Sequence, residues 1–406
     1  MTKVSVGIIY PADPVGTIPG GIDTFIRGIL RWAPPDICVD LIGVTTDRLS
    51  RPVGTWTRCD LEKRSFNFFP VSALDDASYR GRVPLSLRFT IALAAYRIEE
   101  KFDVLEFHRI EPSILFLLDR RPKNAFVHQN MNVLLDTNAD IAWRRAPWLF
   151  FKLEDWLLPK MASVFVVREN AVATYRARYP AVKDRFNFIP TWFDPDVFFP
   201  LANDQKMTLK NRLVIRFGWA VADPLLIWVG RLDKQKDPFL MIETFYGLSG
   251  RNLRLRLIVV GDGVLRSAVQ GRIDTLGLSN RIALVGLRSV TEVADLLRVS
   301  DIFVLSSAYE GMPMCVLEAL GSGVPVAATD VGEIRLVVKP GQNGEISNDR
   351  SPEALGSAIV SCYNNLDKYS GAPCLESVAA YVPEKVLAPV YENYRRLATE
   401  NRETKI

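Results

Sequence analysis

Cysteine is scarce and scattered in this chain of 406 residues. There are five, Cys38, Cys59, Cys315, Cys362 and Cys374. Their number is odd and none forms C-x-x-C, so neither a disulfide framework nor a zinc site is expected. That usage fits a reducing cytoplasm. Long apolar runs are also missing: the longest are broken by charge before they could span a bilayer. The N-terminus, M-T-K-V-S-V-G-I-I-Y, runs straight into a strand-like segment, and no signal-peptide pattern is seen. The charge excess is small, a formal +4. That leaves no electrostatic footprint for nucleic acid, and no nucleic-acid partner is expected. No short-period repeat and no low-complexity tract is present.

What the chain does have is apolar material, 48% of residues, against 24% charged. It can fill large cores, and its length suggests two or three domains. Short β-branched runs alternate with amphipathic segments. Residues 4–10, 38–44, 104–107, 125–128 and 164–167 read as strands, with helices over 22–32, 85–100, 142–158 and 171–179. Such alternation implies a parallel sheet covered on both faces. Residues 190–206 then bring three prolines and two aspartate turns, which reads as an interdomain connection. After it the alternation restarts, with strands at 225–229, 256–260, 282–285, 302–305 and 324–328. Two α/β domains in series are expected, residues 1–200 and 207–381. A long amphipathic helix, predicted over 382–397, closes the chain.

Three constellations could carry chemistry. The first is W-V-G-R-L-D-K-Q-K-D-P, residues 228–238, where a buried strand ends at Gly230 and Arg231 and Lys236 follow. Ligands of open α/β sheets bind outside the carboxyl ends of the strands. A strand-end Arg and Lys suit a diphosphate, the Arg as a fork and the Lys as a compact charge; a solvated basic loop is the plainer alternative. The second, V-V-G-D-G-V-L-R at 259–266, is a glycine turn between strand and helix. It lacks the dinucleotide fingerprint, so a tight turn at Gly261 is the favoured reading.

The third is Y-E-G-M-P-M-C-V-L-E-A-L-G-S-G-V-P, residues 309–325. Glu310 falls in a loop at a strand's carboxyl end. Pro313 suits the first residue of a helix, and Gly321 and Gly323 suit its end. Glu318 then lies inside the helix. The N–H groups of Met312, Met314 and Cys315 form an anion-attracting terminus beside Glu310, and carboxylates accept hydrogen bonds from sugar hydroxyls. The alternative is that Glu310 only stabilises the helix start and Glu318 is a surface residue.

Pro19-Gly20-Gly21-Ile22 follows the first strand and opens a helix, where glycines allow an anion to approach backbone. The only histidines, His108 and His128, sit at the ends of two strands of the first domain. Asp194-Pro195-Asp196 matches a metal-diphosphate pattern, but its proline-rich setting favours a turn. No catalytic metal and no cofactor is expected.

Together these residues resemble the retaining glycosyltransferases of family 4, the glycosyl transferases group 1 type with the GT-B fold. The G-R-L-x-x-x-K element is similar to Gly230-Arg231-Leu232 with Lys236, the G-D-G turn to Gly261-Asp262-Gly263, and the E-x7-E signature to Glu310 and Glu318. Gly20-Gly21 resembles the diglycine loop, and His128 the histidine near the transferred sugar. The chain departs from the pattern at Thr191-Trp192, where Asn-Gly is usual, at Val167-Arg168, where Val-Ser is usual, and at Glu333, where a second glycine is usual. The first two departures are expected on the acceptor-side domain, where they bear more on acceptor choice than on donor chemistry.

The resemblance implies two Rossmann-like domains facing a central cleft, with the last helix crossing back to the first domain. It implies transfer of a sugar from a nucleotide-diphosphate sugar, with retained configuration and no metal, to a saccharide or lipid-linked acceptor. Arg231, Lys236 and the N–H groups of residues 312–315 would stabilise the leaving diphosphate. Glu318 would bind ribose hydroxyls, and Glu310 and His128 the sugar. Segments 79–90 and 143–152 mix Arg with apolar residues and could touch the inner face of a membrane; helix packing is the simpler account. A nucleotide-sugar epimerase of the same fold, or a binding protein without turnover, are the alternatives.

Overall fold

The structure is a computed structural model and describes residues 3–16, 21–62, 64–74, 84–98, 101–128, 147–250 and 254–403. The chain divides into two compact units, Met1–Pro190 with Pro383–Ile406, and Thr191–Val382.

In the first unit the elements run β1 (Val4–Ile9), α1 (Gly21–Trp32), β2 (Ile37–Thr45), β3 (Thr57–Leu61), β4 (Arg64–Ala73), α2 (Leu85–Leu93), β5 (Val104–Phe107), β6 (Lys123–Val127), α3 (Pro147–Leu157), β7 (Ser163–Val166), α4 (Glu169–Arg178) and β8 (Phe186–Phe188). Eight strands form one sheet in the order β3-β4-β2-β1-β5-β6-β7-β8. All neighbours are parallel except β3 and β4, an antiparallel hairpin at one edge. This hairpin departs from the purely parallel sheet expected. Residues of β1, β5 and β7 are almost entirely buried, because helices cover both faces and no strand needs a polar side.

The last helix (Pro383–Glu403) belongs to this unit. It buries Val386, Leu387, Val390, Tyr391, Tyr394 and Leu397. Its polar side is tied down as well: Arg395 bonds Asp36 at 2.7 Å and Arg402 bonds Asp103 at 2.6 Å. The Asn124 amide donates to Asn393 at 2.9 Å, and Asn393 donates to Ser163 at 2.7 Å.

The second unit runs α5 (Asn203–Val214), β9 (Leu225–Val229), α6 (Pro238–Ser249), β10 (Arg256–Val260), α7 (Arg266–Thr275), β11 (Ile282–Gly286), α8 (Val290–Val299), β12 (Ile302–Leu305), α9 (Met314–Gly321), β13 (Val326–Thr329), β14 (Gly344–Ser347) and α10 (Pro352–Asn364). Its six strands order as β11-β10-β9-β12-β13-β14, all parallel. Side chains alternate between faces along each strand. Leu225 and Ile227 therefore enter one core and Leu226 and Trp228 the other.

Residues 191–200, expected in the first domain, fall in the second unit. The reason is packing: Phe193 and Phe198 are buried in the second core with Val316 and Leu320, and Phe193 N–H donates to Tyr381 O at 3.2 Å. Thr191 and Trp192 go with them, so their placement on the acceptor-side domain is corrected. The Asp194-Pro195-Asp196 stretch is a turn. Asp194 Oδ1 accepts from Asp196 N–H at 3.0 Å, and its carbonyl accepts from Val197 and Phe198 at 3.1 and 2.8 Å.

Candidate active site

Both sheets reverse their winding direction at one point. In the second sheet β9 pairs β10 on one side and β12 on the other, so the chain leaves β9 and β12 toward opposite faces. In sheets of this kind ligands collect outside the carboxyl ends of the strands that flank the reversal. The loops that emerge there carry Lys236 after β9 and Glu310 after β12.

The structure brings these two side chains together. Lys236 Nζ lies 2.6 Å from Glu310 Oε1, with the side chains 17% and 9% exposed. Ser307 donates to the same carboxylate oxygen at 2.8 Å. The loops are also joined through backbone: Ala308 N–H donates to Gln235 O at 2.7 Å, and the Gln235 amide donates to Tyr309 O at 3.3 Å. Below them the Ser306 hydroxyl is a node. It accepts from the Trp228 indole at 2.9 Å and faces the carbonyls of Lys236 and Asp237 at 3.0 and 2.9 Å. Asp237 then caps α6 by accepting from Leu240 N–H at 3.2 Å. A buried side chain of β9, the end of β12 and the start of α6 thus hold Lys236 from three directions.

α9 begins at Met314, and Pro313 is its extended cap residue rather than its first helical residue. This corrects the expected start by one position. Val316 N–H is satisfied by Pro313 O at 3.1 Å. Among the described residues no carbonyl accepts from the N–H groups of Met312, Met314 or Cys315, as expected of a helix terminus open to an anion. Gly321 ends the helix, and Gly323 takes a φ of 77° just beyond it.

Glu318 sits inside α9 and is half-buried. Burial pushes its carboxyl up to about 7, with Lys236 pulling in the other direction. Burial also pushes the Cys315 thiol up to about 12. For Lys236 burial opposes the charge, but Cys315, Glu310 and Asp233 outweigh it and the ammonium is held above its ordinary value. One lysine therefore answers to both glutamates, paired with Glu310 and acting across space on Glu318.

Arg231 is placed differently. Its side chain is 73% exposed and bonds Asp233 at 3.1 Å; it is no part of the Lys236–Glu310 pair. Gly230 and Gly261, far apart in sequence, form one interlock. Gly230 N–H donates to Val260 O at 3.0 Å and Leu232 N–H to Asp262 O at 2.9 Å. A Cβ at Gly261 would stand 1.9 Å from the Gly230 carbonyl, and its φ is 129°. The G-R-L and G-D-G elements are thus two sides of a single backbone contact. Glu333 lies instead against the loop that carries Glu310, donating its N–H to Gly311 O at 3.0 Å.

In the first sheet the reversal lies between β1 and β5. Gly20 lies outside the described residues, and Gly21 opens α1. His108 and His128 follow β5 and β6 and meet directly, Nδ1 of His108 lying 2.8 Å from Nε2 of His128. Glu106, which no sequence motif marks, joins them: its Oε1 lies 2.8 Å from Nε2 of His108. The only signal was a carboxylate inside an apolar strand, V-L-E-F. Ser306 and Ser307 are likewise unmarked, since hydroxyls at a strand end carry no distinctive spacing.

Comparison with known proteins places this geometry in context. Residues 212–400 match the family described as glycosyl transferases group 1. Mannosylfructose-phosphate synthase of Agrobacterium fabrum is 27% identical over 190 residues, covering 45% of this chain and 40% of the relative. UDP-Gal:alpha-D-GlcNAc-diphosphoundecaprenol alpha-1,3-galactosyltransferase of Escherichia coli is 31% identical over 179 residues, 43% of this chain and 44% of the relative. The chain thus spans less than half the length of these two relatives. Among solved structures, sucrose-phosphate synthase from Thermosynechococcus elongatus superposes with a TM-score of 0.74 at 18% identity, covering 98% of this chain and 100% of that one. The fold is shared with it: two Rossmann-like domains of the GT-B class.

Proposed function

We propose, from the match of residues 212–400 to the family described as glycosyl transferases group 1, that this chain is a retaining glycosyltransferase. It moves a sugar from a nucleotide-diphosphate sugar to a saccharide or lipid-linked acceptor, in cell-surface polysaccharide or glycolipid synthesis. The observation that carries this reading is the Lys236–Glu310 pair at the switch point, beside the open terminus of α9.

The chemistry is coherent. The leaving diphosphate gains negative charge as the glycosidic bond breaks. The Lys236 ammonium and the N–H groups of Met314 and Cys315 supply fixed positive potential there, in the place a divalent ion would otherwise take. Arg231, on the exposed rim, reaches the diphosphate only by leaving Asp233. Glu318 binds ribose hydroxyls and Glu310 sugar hydroxyls. His128 contacts the sugar or a phosphate.

The acceptor side includes peripheral contact with a membrane. Among the described residues no helix is long and apolar enough to cross one. On α3, Trp148, Leu149 and Trp156 are exposed by 60, 46 and 49%, and Lys152 sits 5.4 Å from the Trp148 ring centre. Exposed tryptophan beside lysine suits a headgroup layer. Co-sedimentation with anionic vesicles checks this, and equal sedimentation of Trp148→Ala and Trp156→Ala would remove α3 from the contact.

The test of the main reading is a thermal-shift screen of UDP-, GDP- and ADP-sugars, followed by nucleotide release with acceptor extracts. A donor at 100 times its dissociation constant adds about 2.7 kcal/mol of stability. Binding without nucleotide release in any extract favours a binding protein. Conversion of the donor sugar without transfer favours an epimerase.

A further inference from the structure

A buried chain of polar groups runs through the first unit. Tyr394, on the last helix, donates its hydroxyl to Glu106 Oε2. Glu106 Oε1 lies 2.8 Å from His108 Nε2, and His108 Nδ1 lies 2.8 Å from His128 Nε2. Glu106 and Tyr394 are 0% exposed and His108 2%. His128 is half-buried and lines a pocket with Ile22 and Arg109. Among the described residues nothing bonds its Nδ1.

A neutral imidazole offers one donor and one acceptor. Two proton arrangements therefore satisfy every link. With Glu106 ionised, His108 donates from Nε2 to the carboxylate and accepts at Nδ1 from His128 Nε2–H. His128 Nδ1 is then a bare acceptor. With Glu106 protonated, the carboxylic acid donates to His108 Nε2, His108 donates from Nδ1 to His128 Nε2, and His128 carries its proton on Nδ1 as a donor. The two states differ by one proton. When it arrives at Nδ1 of His128, the Nε2 proton of His128 passes to Nδ1 of His108, and the Nε2 proton of His108 passes to Oε1 of Glu106. Three N–H or O–H bonds form, two N–H bonds break, and the charge neutralised is that of the carboxylate. No imidazolium is needed.

We infer that Tyr394, Glu106 and His108 are positioning residues of a proton relay in which the protonation of Glu106 decides whether His128 Nδ1 donates or accepts a hydrogen bond. In the donor state His128 binds an oxygen lone pair such as a phosphate oxygen. In the acceptor state it binds a hydroxyl. This use at the ligand rests on the transferase reading above; the relay itself does not.

The surroundings favour it. Burial pushes His108 down to about 3 and His128 well below its ordinary value, so neither imidazole is charged near neutral pH. Burial pushes Glu106 up to about 8, against the pull of Tyr394. Among the described residues, the ionisable groups that act on the relay are Tyr391 and Tyr394 from the last helix and Arg109 beside His128, and Glu111, Glu154 and Tyr175 line the same pocket as the two histidines. Of the rings packed on His108, Phe25 from α1 and Phe126 from β6 are apolar, and Tyr10 stands edge-on at 6.1 Å after β1.

The chain holds only two histidines, so histidine-selective 15N labelling isolates the relay. Long-range 1H–15N spectra between pH 6 and 9.5 should show both rings changing from Nδ1–H to Nε2–H together, with one midpoint near 8 and no imidazolium signal. Glu106→Gln should hold each ring in one tautomer at every pH. Tyr394→Phe, which removes a donor to the carboxylate, should raise the midpoint by about 1 unit, a tenfold change in proton affinity. Separate midpoints, an imidazolium, or an unchanged profile in Glu106→Gln overturns the relay. The wild-type series alone decides it if a variant does not fold. Donor KM and kcat over the same pH range read the ligand use separately: a coupled tautomer switch with flat kinetics keeps the relay and removes His128 from the reaction.

Discussion

Lys236 and Glu310 form a half-enclosed ion pair between loops that follow adjacent strands of one sheet, and Ser307 fixes the carboxylate end of it. The pair positions both groups before any ligand arrives, at little further ordering cost. Glu310→Gln should lower kcat/KM for transfer about 100-fold, with a thermal midpoint close to wild type. Lys236→Ala should do the same and also weaken donor binding, because it removes positive potential from the diphosphate. Nucleotide release under saturating acceptor, with calorimetry of donor binding, separates the two. Unchanged transfer in both variants would remove this pair from the mechanism.

Ser306 is the support under that pair. Ser306→Ala leaves the indole N–H of Trp228, a side chain 2% exposed, without its partner. Denaturant unfolding should show a loss of roughly 1–3 kcal/mol. The loop carrying Lys236 loses its tether to β12, so donor KM should rise more than kcat falls.

Two glycines should respond to alanine in opposite directions. Gly261→Ala drives a Cβ to 1.9 Å from the Gly230 carbonyl at a φ of 129°. It should cost about 2–4 kcal/mol. Gly247 lies exposed inside α6 with nothing within 4 Å of its would-be Cβ. Gly247→Ala should stabilise by about 0.5–1 kcal/mol through helix propensity. Urea midpoints of the two variants against wild type provide the check.

Glu318 links stability to pH. Its carboxyl is raised from 4.5 to about 7 in the folded chain, so the folded state holds the proton longer than the unfolded state does. The stabilisation is fully present below 4.5 and is lost as pH rises to about 7. Glu318→Gln should flatten that part of the stability profile relative to wild type. If the carboxylate binds ribose hydroxyls, donor affinity of the wild type should rise through the same window, and the variant should lose that rise.

Most strands of both sheets were readable because buried parallel strands are short apolar runs bounded by turns, as at Leu225–Val229 and Ile302–Leu305. The β3–β4 hairpin was not. β3 carries Arg58 and Asp60, and β4 contains Pro70, which argues against a strand inside a sheet. The structure accommodates Pro70 where the β2–β4 register shifts, between the Gly43–Pro70 and Val44–Ser72 pairs. The Lys236 and Glu310 side of the site was legible because strand-end loops of a Rossmann-like sheet point the same way. Its scaffold of hydroxyls was not, since Ser306 matters through Trp228 and two carbonyls that no local pattern connects. Glu106 is the extreme case: its hydroxyl partner Tyr394 lies 288 residues away. Arg231 shows the reverse limit. Its position after β9 was clear, but its exposure and its bond to Asp233 depend on loop geometry.

The last helix has a consequence for how the protein is made. The second unit is one unbroken stretch, Thr191–Val382, whereas the first needs Pro383–Ile406 as well as Met1–Pro190. Synthesis from the N-terminus ordinarily lets the first domain fold first. Here β1 and β5 wait for a helix that packs on them and is translated only after the whole second unit. The order of completion is inverted: the second unit can finish while the first still lacks its cover. A chain stopped shortly after Val382 would therefore carry one finished domain and one with an open apolar face, and would be a substrate for chaperones and proteases in its first half only.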